Sequence, residues 1–520
     1  MKTISTLRTF LTRNLEYNPE KPAFIEGERR YTYREFADRT YRMANALLNI
    51  GLEKGDRVAM LSHNSIENAE CYFSIPNGGL VLVMLNFRLA AMEIRTIIED
   101  SQASALIVNE KYVQQIDGIK DQLPFLKHLI FIGEKSRTPD GYLHYETLIE
   151  EASPETPDIA VTEDDLAALI YTSGTTGAPK GCMATHLNLY HAGRSLNIVL
   201  DLGEEDVEII ASPLFHATGI SCIMPAVYAG LTSVIMPQWD PAEFLRLVEK
   251  YRVTTGMIAT PMLLFLVDYP EVRKYDVSSL RYVFFAGAPV TPVIFKRAME
   301  IFGNVFIHLF GTSETVGHTA ILTTRDVANA LKSGNDDIFS SCGRSSPDMQ
   351  SVVVDENDNL VSPGVVGEIK VRGLGTTLGY WRKEEATGEV YRDGWYYPLD
   401  LCRVDEKGFI YVVDRKKDMI ITGGENVYPA EVENVLYKHP AVRQAAVIGL
   451  PDPKWGEIVT AVVIPREDTE VTEDDLRAFC RQEIAGFKVP KKVIFVDELP
   501  LGTSGKILKY QLRDKLIASR

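Results

Sequence analysis

Short, mostly apolar runs that alternate with helical patterns are the feature that most limits how this chain can fold. Runs of strand length occupy residues 58–61, 80–84, 105–108, 166–170, 208–211, 232–236, 255–259 and 282–285. Between them, apolar residues from Phe36 to Leu48 recur at helical spacing and Gly51 follows as a helix-ending glycine, and residues 93–99 also have helical spacing. Strands buried on both faces read as continuous apolar runs, so the alternation predicts an α/β fold with mostly parallel βαβ sheets.

Near residue 350 the sequence pattern changes to short strands separated by turn residues, and it changes again after residue 415. These changes predict a subdomain and a further domain. Turn residues at 357–359 and 363–364 and short strands at 367–372 and 409–413 indicate a β-rich subdomain over about 345–415. Beyond it, helices at 429–438 and 476–484 and strands at 445–448 and 459–464 predict a small α+β domain. We therefore expect a large N-terminal domain, residues 1–415, and a C-terminal domain, residues 416–520.

Charge and cysteine usage exclude several classes of partner. The chain has 71 acidic and 55 basic residues, a net charge of −16, which opposes sequence-independent binding to nucleic acid or to an anionic membrane. Its six cysteines stand singly and the N-terminus lacks the apolar core of a signal peptide, so a cytoplasmic protein is expected. Residues 213–239 carry no charge, but a histidine, a proline and hydroxyls favour a buried helix and strand over a membrane segment. The sequence does not distinguish a monomer from a homo-oligomer.

Residues 171–181 carry hydroxyls, three glycines and one lysine, with no acidic residue, directly after the apolar run at 166–170. Glycines let backbone N–H groups approach a phosphate, hydroxyls add donors and the lysine adds charge. A Ser/Thr/Gly surface loop is the simpler alternative, and a Walker A loop is excluded because glycine, not Ser or Thr, follows the lysine. The predicted phosphate cradle consists of Thr172, Ser173, Gly174, Thr175, Thr176, Gly177 and Lys180.

This stretch resembles the phosphate loop of the adenylate-forming superfamily, which includes acyl-CoA synthetases, luciferases and peptide-synthetase adenylation domains. Further motifs follow in the family's order, and the resemblance covers nearly the whole chain. It implies an enzyme that binds ATP. It also implies that the small turn Ala286-Gly287-Ala288-Pro289 lines the adenine and acyl pocket.

Residues 308–315 resemble the family motif Tyr-Gly-x-Thr-Glu. The resemblance implies that Phe310 stacks on adenine, that Gly311, Thr312 and Ser313 line the nucleotide site, and that Glu314 holds Mg²⁺, which prefers oxygen ligands. Phe310 replaces the family's tyrosine and loses a hydroxyl, whereas Ser313 replaces threonine and keeps one. Neither change is expected to abolish function.

Residues 394–400 resemble the family motif Gly-Trp-x-x-Thr-Gly-Asp. Asp400 is then expected to accept both ribose hydroxyls, since a carboxylate offers two acceptor oxygens. Pro398 and Leu399 replace Thr-Gly, the largest departure in the chain, and this puts the local backbone in question. By the same resemblance Arg415 contacts ribose and Lys417 is the hinge of a mobile C-terminal domain.

Two C-terminal motifs imply how that domain takes part in the reaction. In relatives that make thioesters, the turn formed by Gly423, Gly424 and Glu425 lines the pantetheine tunnel of coenzyme A, where a side chain at Gly424 is expected to block a narrow channel. Near the C-terminus, Leu499-Pro-Leu-Gly-Thr-Ser-Gly505 precedes Lys506 in the pattern that delivers the family's catalytic lysine. Its positive charge would act where phosphate charge redistributes.

The resemblance implies an AMP-forming acyl-CoA ligase that uses ATP, Mg²⁺ and coenzyme A, with Thr172, His216, Glu314 and Lys506 as the catalytic group. Its carboxylate pocket is predicted to comprise Phe215, His216, Thr218, Gly219, Ala286, Phe310, Gly311 and Thr312. His216 is expected to be a gate or a contact to the carboxylate. No aspartate stands there to pair with an amino acid's ammonium group, which argues against an amino-acid substrate. No positive charge among these residues could pair with a second carboxylate, so an apolar acid is expected, either a short or medium chain or a ring such as benzoate or cyclohexane carboxylate. Two alternatives are an adenylating enzyme with a carrier protein or another acceptor, and an inactive nucleotide-binding protein.

Overall fold

The computed structural model describes residues 5–172, 179–287, 290, 292–467, 469–502 and 507–518. The helices are α1 Leu7–Tyr17, α2 Tyr33–Asn49, α3 Ile66–Asn77, α4 Ala91–Ser101, α5 Val113–Asp117, α6 Tyr145–Glu151, α7 His186–Leu200, α8 Ala217–Ala229, α9 Pro241–Tyr251, α10 Thr260–Val267, α11 Pro292–Phe302, α12 Thr324–Lys332, α13 Glu384–Val390, α14 Pro429–Leu436, α15 Glu473–Glu483 and α16 Lys509–Ala518.

The strands of the large N-terminal part are β1 Pro22–Glu26, β2 Arg29–Thr32, β3 Arg57–Leu61, β4 Val81–Met84, β5 Ala105–Asn109, β6 His128–Ile132, β7 Tyr142–His144, β8 Leu166–Thr172, β9 Lys180–Thr185, β10 Val207–Ile210, β11 Thr232–Ile235, β12 Thr255–Ala259, β13 Tyr282–Ala286, β14 Phe306–Phe310, β15 Ala320–Leu322 and β16 Arg344–Ser345. The remaining strands are β17 Met349–Val354, β18 Gly367–Gly373, β19 Tyr391–Arg392, β20 Trp395–Tyr396, β21 Asp400–Val404, β22 Ile410–Arg415, β23 Ile420–Thr422, β24 Glu425–Val427, β25 Val442–Asp452, β26 Gly456–Pro465 and β27 Lys492–Phe495.

Two largely parallel sheets form the centre of the N-terminal part. The first has the order β7-β6-β5-β3-β4-β8-β9, in which only β9 runs antiparallel to its neighbour. The second has the order β16-β15-β14-β13-β12-β10-β11-β1-β2 and is parallel from β14 to β1. Every apolar run predicted to be a strand lies in one of these sheets, which confirms the α/β class.

The two remaining sheets follow in the chain. Strands β17 to β22 form a six-stranded antiparallel sheet, in agreement with the predicted β-rich subdomain. A five-stranded sheet, β24-β23-β26-β25 with β27 beside β26, carries helices α14, α15 and α16 and forms the smaller C-terminal domain. The predicted boundaries, 1–415 and 416–520, stay predictions.

Asn64 joins the two parallel sheets at the carboxyl ends of their strands. Its position after β3 suggests a helix cap, but Ser65 caps α3 by accepting a bond from the Asn68 amide. The buried Asn64 side chain instead donates to the carbonyl oxygens of Ser212 (2.9 Å) and Met236 (3.2 Å) and accepts from the Leu214 amide (2.8 Å). Tertiary hydrogen bonds therefore override the local capping preference.

The uncharged stretch at 213–239 folds as the buried helix α8 followed by β11, as predicted. Pro225 lies inside α8, and Gly230 ends the helix with a φ of 76°. Among the residues that the structure describes, no helix combines the length and apolar character needed to cross a membrane.

Candidate active site

The predicted phosphate loop connects two paired strands. Strands β8 and β9 run antiparallel, and Thr172 at the end of β8 lies opposite Lys180 at the start of β9. The pairing fixes both ends of the loop at the edge of the first sheet. The predicted cradle residues Ser173, Gly174, Thr175, Thr176 and Gly177 lie outside the described residues.

Glu314 lies close to the lysine of that loop. It sits in a 3₁₀ turn after β14, is largely buried, and its Oε1 accepts a hydrogen bond from the Tyr380 hydroxyl at 2.7 Å. Lys180 Nζ lies 5.0 Å from the centre of the same tyrosine ring, within cation–π range. Tyr380 is 200 residues from Lys180 and 66 from Glu314 in the sequence, and these two predicted site residues meet at its side chain.

The neighbours of Glu314 in its motif lie in strand β14 and in the turn that follows it. Thr312 donates from its hydroxyl to the Tyr396 oxygen over 3.4 Å, and Phe310 ends strand β14 half-buried. Gly311 is required by close approach, because a Cβ atom there would lie 2.5 Å from the Gly317 carbonyl oxygen. Ser313 begins the 3₁₀ turn that carries Glu314.

Asp400 and Arg415 form an ion pair beside this motif. They are directly opposite in the antiparallel pair β21–β22, and Arg415 Nε lies 2.7 Å from Asp400 Oδ1. The nearby Asp400 carboxylate raises the pKa of Arg415, so the guanidinium stays charged. The arginine thus already engages the carboxylate predicted to accept the ribose hydroxyls.

The Pro398-Leu399 departure has a visible backbone consequence. Leu399 has a φ of 62°, in the left-handed region where glycine, the usual family residue at this position, meets no steric penalty. The backbone keeps the turn despite the leucine, since the Leu399 carbonyl accepts from the Lys416 amide at 2.9 Å. The substitution therefore adds strain beside Asp400 without displacing it from β21.

Four of the predicted acyl-pocket residues, Phe215, His216, Thr218 and Gly219, lie at the start of α8. His216 caps this helix, and its Nδ1 accepts from the Thr218 amide at 3.3 Å. Gly219 is again a close-approach glycine, because a Cβ atom would lie 2.5 Å from the Leu214 Cα. Ala286 ends β13 and Gly287 follows with a φ of 98°, whereas Ala288 and Pro289 lie outside the described residues.

Three residues beside these predicted positions carry no sequence signal of their own. The ring of Phe87 meets Phe215 edge-to-face at 5.3 Å, and the Arg88 guanidinium lies 5.4 Å and 5.9 Å from the centres of those two rings. Tyr380 is the third. A glycine with a φ of 116° at Gly379, directly before it, is the only local hint of an ordered turn.

The structure describes most of the site residues predicted in the C-terminal domain. Gly423 and Gly424 form the two-residue turn between β23 and β24, with φ values of 61° and 85°, and Glu425 begins β24. Positive φ, not lack of space, is what requires glycine at Gly424, because a Cβ there meets no atom within 4 Å. Lys417 is exposed after β22. Lys506 lies outside the described residues.

The donor set around Glu314 suits a magnesium ion that is held partly by substrate. Mg²⁺ takes one or two carboxylates from protein and completes its shell with water and phosphate oxygens. No group of three or more His, Cys, Asp or Glu side chains able to hold a metal occurs in the described part of the chain. A single carboxylate is thus the expected protein contribution.

Comparisons with known proteins identify the family of the chain. Residues 11–381 match the family model "AMP-binding enzyme", and residues 431–506 match "AMP-binding enzyme C-terminal domain". A feruloyl-CoA synthase of Amycolatopsis is 38% identical over 509 residues, 98% of each chain, and the long-chain-fatty-acid–CoA ligase FadD13 of Mycobacterium tuberculosis is 32% identical over 98% of each.

Solved structures show the same fold. The ATP-bound MatB of Rhodopseudomonas palustris superposes with a TM-score of 0.88 at 30% identity, over 98% of each chain. The anthranilate CoA ligase AuaEII with anthranoyl-AMP superposes with a TM-score of 0.90 at 28% identity, over 99% of this chain and 98% of that one. These family matches and relatives show that the chain belongs to the AMP-binding enzymes and, within them, to the AMP-forming acid–CoA ligases.

Proposed function

We propose that this enzyme activates an apolar ring acid with ATP, giving acyl-AMP and pyrophosphate, and then transfers the acyl group to coenzyme A. The observation that carries the proposal is that Lys180 and Glu314 meet at Tyr380, while Arg415, paired with Asp400, is close enough to Glu314 to interact with its charge. Cationic and metal-binding groups meet there, as a triphosphate requires, in a protein whose net charge is −16.

Adenylation solves the chemical difficulty that a free carboxylate has no good leaving group, whereas AMP leaves readily. Catalysis of such a step is mainly positioning and charge stabilisation. Asp400 would accept the ribose hydroxyls, and Lys180 and Lys506 would face the phosphates. Magnesium held by Glu314 would neutralise phosphate charge.

The second half-reaction needs a different arrangement of the same domains. We propose that the C-terminal domain turns about Lys417, so that Lys506 leaves and the Gly423-Gly424 turn arrives to guide the thiol of coenzyme A. One site can serve two reactions in this way. His216, at the start of α8, would contact the substrate carboxylate or gate its pocket.

The choice of a ring acid is supported by the aromatic groups beside His216. Phe87 and Phe215 meet edge-to-face, the geometry in which a further planar ring packs well. A relative at 38% identity is named for feruloyl-CoA, whose acyl group is aromatic. A long-chain acid is the second candidate, because a relative at 32% identity is named for such substrates.

An acid panel tests this proposal directly. Enzyme, Mg·ATP and coenzyme A are incubated with benzoate, cyclohexane carboxylate, ferulate, hexanoate or decanoate, and AMP and acyl-CoA are quantified. We expect equal amounts of both products and the highest kcat/KM with a ring acid. AMP without acyl-CoA would point to a carrier protein or another acceptor, and no AMP with any acid would mean an inactive nucleotide-binding protein.

Two substitutions are expected to affect the two half-reactions separately. We expect Lys506→Ala to lower ATP–pyrophosphate exchange by about 100-fold or more, the usual loss when one preorganised charge or donor is removed, while thioester formation from supplied acyl-AMP persists. Gly424→Leu should do the reverse. Equal loss of both half-reactions in both variants would refute the division of labour between these residues.

A further inference from the structure

We propose that Tyr380 is a positioning residue that holds the Glu314 carboxylate and the Lys180 side chain in the arrangement that receives Mg·ATP. The inference rests on the proposed role of Glu314 as the magnesium ligand. No sequence motif used above includes this tyrosine. Its assignment comes from the contacts of one short segment, residues 377–381, which we call the bridging segment.

The bridging segment is bonded to the strand that begins with Lys180. The Leu378 amide donates to the Met183 carbonyl at 3.0 Å, the Met183 amide to the Gly379 carbonyl at 2.9 Å, and the Trp381 amide to the Gly181 carbonyl at 2.8 Å. Tyr380 thus lies opposite Cys182 as an added partner of β9. Its backbone is fixed relative to the phosphate loop.

The same segment is bonded to the turn that carries Glu314. The Thr377 amide donates to the Glu314 carbonyl at 2.9 Å, and the Tyr380 hydroxyl donates to Glu314 Oε1 at 2.7 Å. Backbone and side chain of the glutamate are therefore both held by residues three positions apart. Strand β9 and the acidic turn are connected through five residues of chain.

The Tyr380 ring and hydroxyl have separate tasks. The hydroxyl donates its hydrogen to Glu314 Oε1 at 2.7 Å. One carboxylate oxygen is thereby occupied, and the group is kept in a single orientation with acceptor capacity left for a cation. The ring face meets Lys180 Nζ at 5.0 Å, which holds the ammonium near the loop through cation–π attraction.

A neighbouring tyrosine supplies a matched control. Tyr391 packs against Tyr380 with ring centres 6.2 Å apart, and its hydroxyl bonds to Thr377 Oγ1 at 2.7 Å, not to the carboxylate. Tyr380→Phe and Tyr391→Phe each remove one buried hydroxyl from the same cluster. Only the first removes a bond to Glu314.

The test compares magnesium dependence in the two variants and in Glu314→Gln. For Tyr380→Phe we expect the Mg²⁺ concentration at half-maximal ATP–pyrophosphate exchange to rise about 10- to 100-fold, the range for losing a hydrogen bond to a charged group. The KM for ATP at saturating Mg²⁺ should not change, because the ring remains. Tyr380→Leu, which removes the ring as well, should also raise the KM for ATP.

A binding measurement without turnover completes the test. Free Mn²⁺ is titrated by electron paramagnetic resonance into each variant with a non-hydrolysable ATP analogue, and the Kd should rise for Tyr380→Phe but not for Tyr391→Phe. Equal shifts in both variants would overturn the assignment of Tyr380. An unchanged Kd in Glu314→Gln would instead refute the proposed metal ligand, and with it this inference.

Discussion

Glu208 lies inside strand β10 with almost no exposure to solvent. Burial raises the pKa of this carboxyl well above its ordinary value, and its Oε2 has no hydrogen-bond partner among the described residues. The folded protein therefore holds the group neutral, while the unfolded chain ionises it above about pH 4.5. The native state accordingly loses stability at this position as the pH rises.

We predict that Glu208→Gln is neutral or stabilising at pH 7, since a neutral side chain of the same shape replaces a carboxyl that is kept protonated. The advantage of the variant over the wild type should grow between pH 5 and pH 8, as measured by urea unfolding. Asp206→Asn is the control. Asp206 accepts from Arg281 Nη1 at 2.7 Å and from the Thr254 hydroxyl at 2.7 Å, so its loss should cost about 1–3 kcal/mol. Equal losses in the free energy of unfolding for Glu208→Gln and Asp206→Asn would contradict this account.

Individual site residues were predictable where a motif names them and not where a contact does. Glu314, Asp400 and Arg415 stand in recognisable strings, and the structure places all three together. Tyr380 and Arg88 act through partners that are distant in sequence, so no local pattern marks them. Asn64 is a residue type that commonly caps helices, and it stands just before α3. Its side chain nevertheless bonds to backbone groups beside the second sheet instead of capping that helix.

At the scale of elements, helix α14 is held by a carboxylate from the preceding sheet. Asp414 in β22 accepts from the Ala430 amide at 2.8 Å, in the first turn of α14, where unpaired amides and the helix dipole favour a negative charge. Burial raises the pKa of Asp414 to about 6. Lys509 at the start of α16 pairs with Glu433 of α14 at 2.8 Å and adds positive charge nearby.

We predict that Asp414→Ala loosens this contact by about 1 kcal/mol, the usual cost of losing a carboxylate at a helix start. Amide hydrogen exchange followed by mass spectrometry should show faster exchange over Pro429–Leu436, with Asp414→Asn intermediate because its amide oxygen can still accept. Helix α15, Glu473–Glu483, is the internal control. Unchanged exchange in α14 would show that Asp414 does not hold it.

Eight strands of the parallel sheets were predicted because each is a buried apolar run, whereas β6, β7 and β14 in the same sheets were not. The hairpin β1–β2 was not predicted. Strand β2 is rich in charged residues, and strand β1 is positioned by pairing with β11, about two hundred residues away. Local pattern therefore identifies central strands better than edge strands. The order in which strands pair within each sheet cannot be predicted from local sequence patterns.

At the scale of the whole molecule, buried acids and buried histidines oppose each other. Burial lowers the pKa of His186, His191 and His308 to about 4 and that of His318 to about 3. As the pH falls below about 6.5, the unfolded chain takes up these protons and the folded protein does not, so stability is lost. Burial also raises the pKa of Glu70 to about 7, which gives the opposite trend.

We predict that stability changes little between pH 7 and pH 5 in the wild type, since the two sets partly cancel, and that single variants expose each set. His318→Gln should lower stability at pH 7 by removing the 2.6 Å bond with Ser195 Oγ. The difference from the wild type should then shrink by about 1.4 kcal/mol per pH unit below 6.5. Urea unfolding at pH 7.5, 6.5, 5.5 and 4.5 measures this. A pH-independent difference would contradict it.

The Asn64 side chain has a mechanical consequence for the enzyme. Asn64 follows β3 in the first sheet, and its side-chain amide bonds to backbone groups that follow β10 and β11 in the second. Sliding one sheet past the other would therefore leave several buried polar groups without hydrogen bonds at once. We therefore expect the two sheets to move as one rigid body. The proposed domain rotation would then be confined to the chain after Arg415.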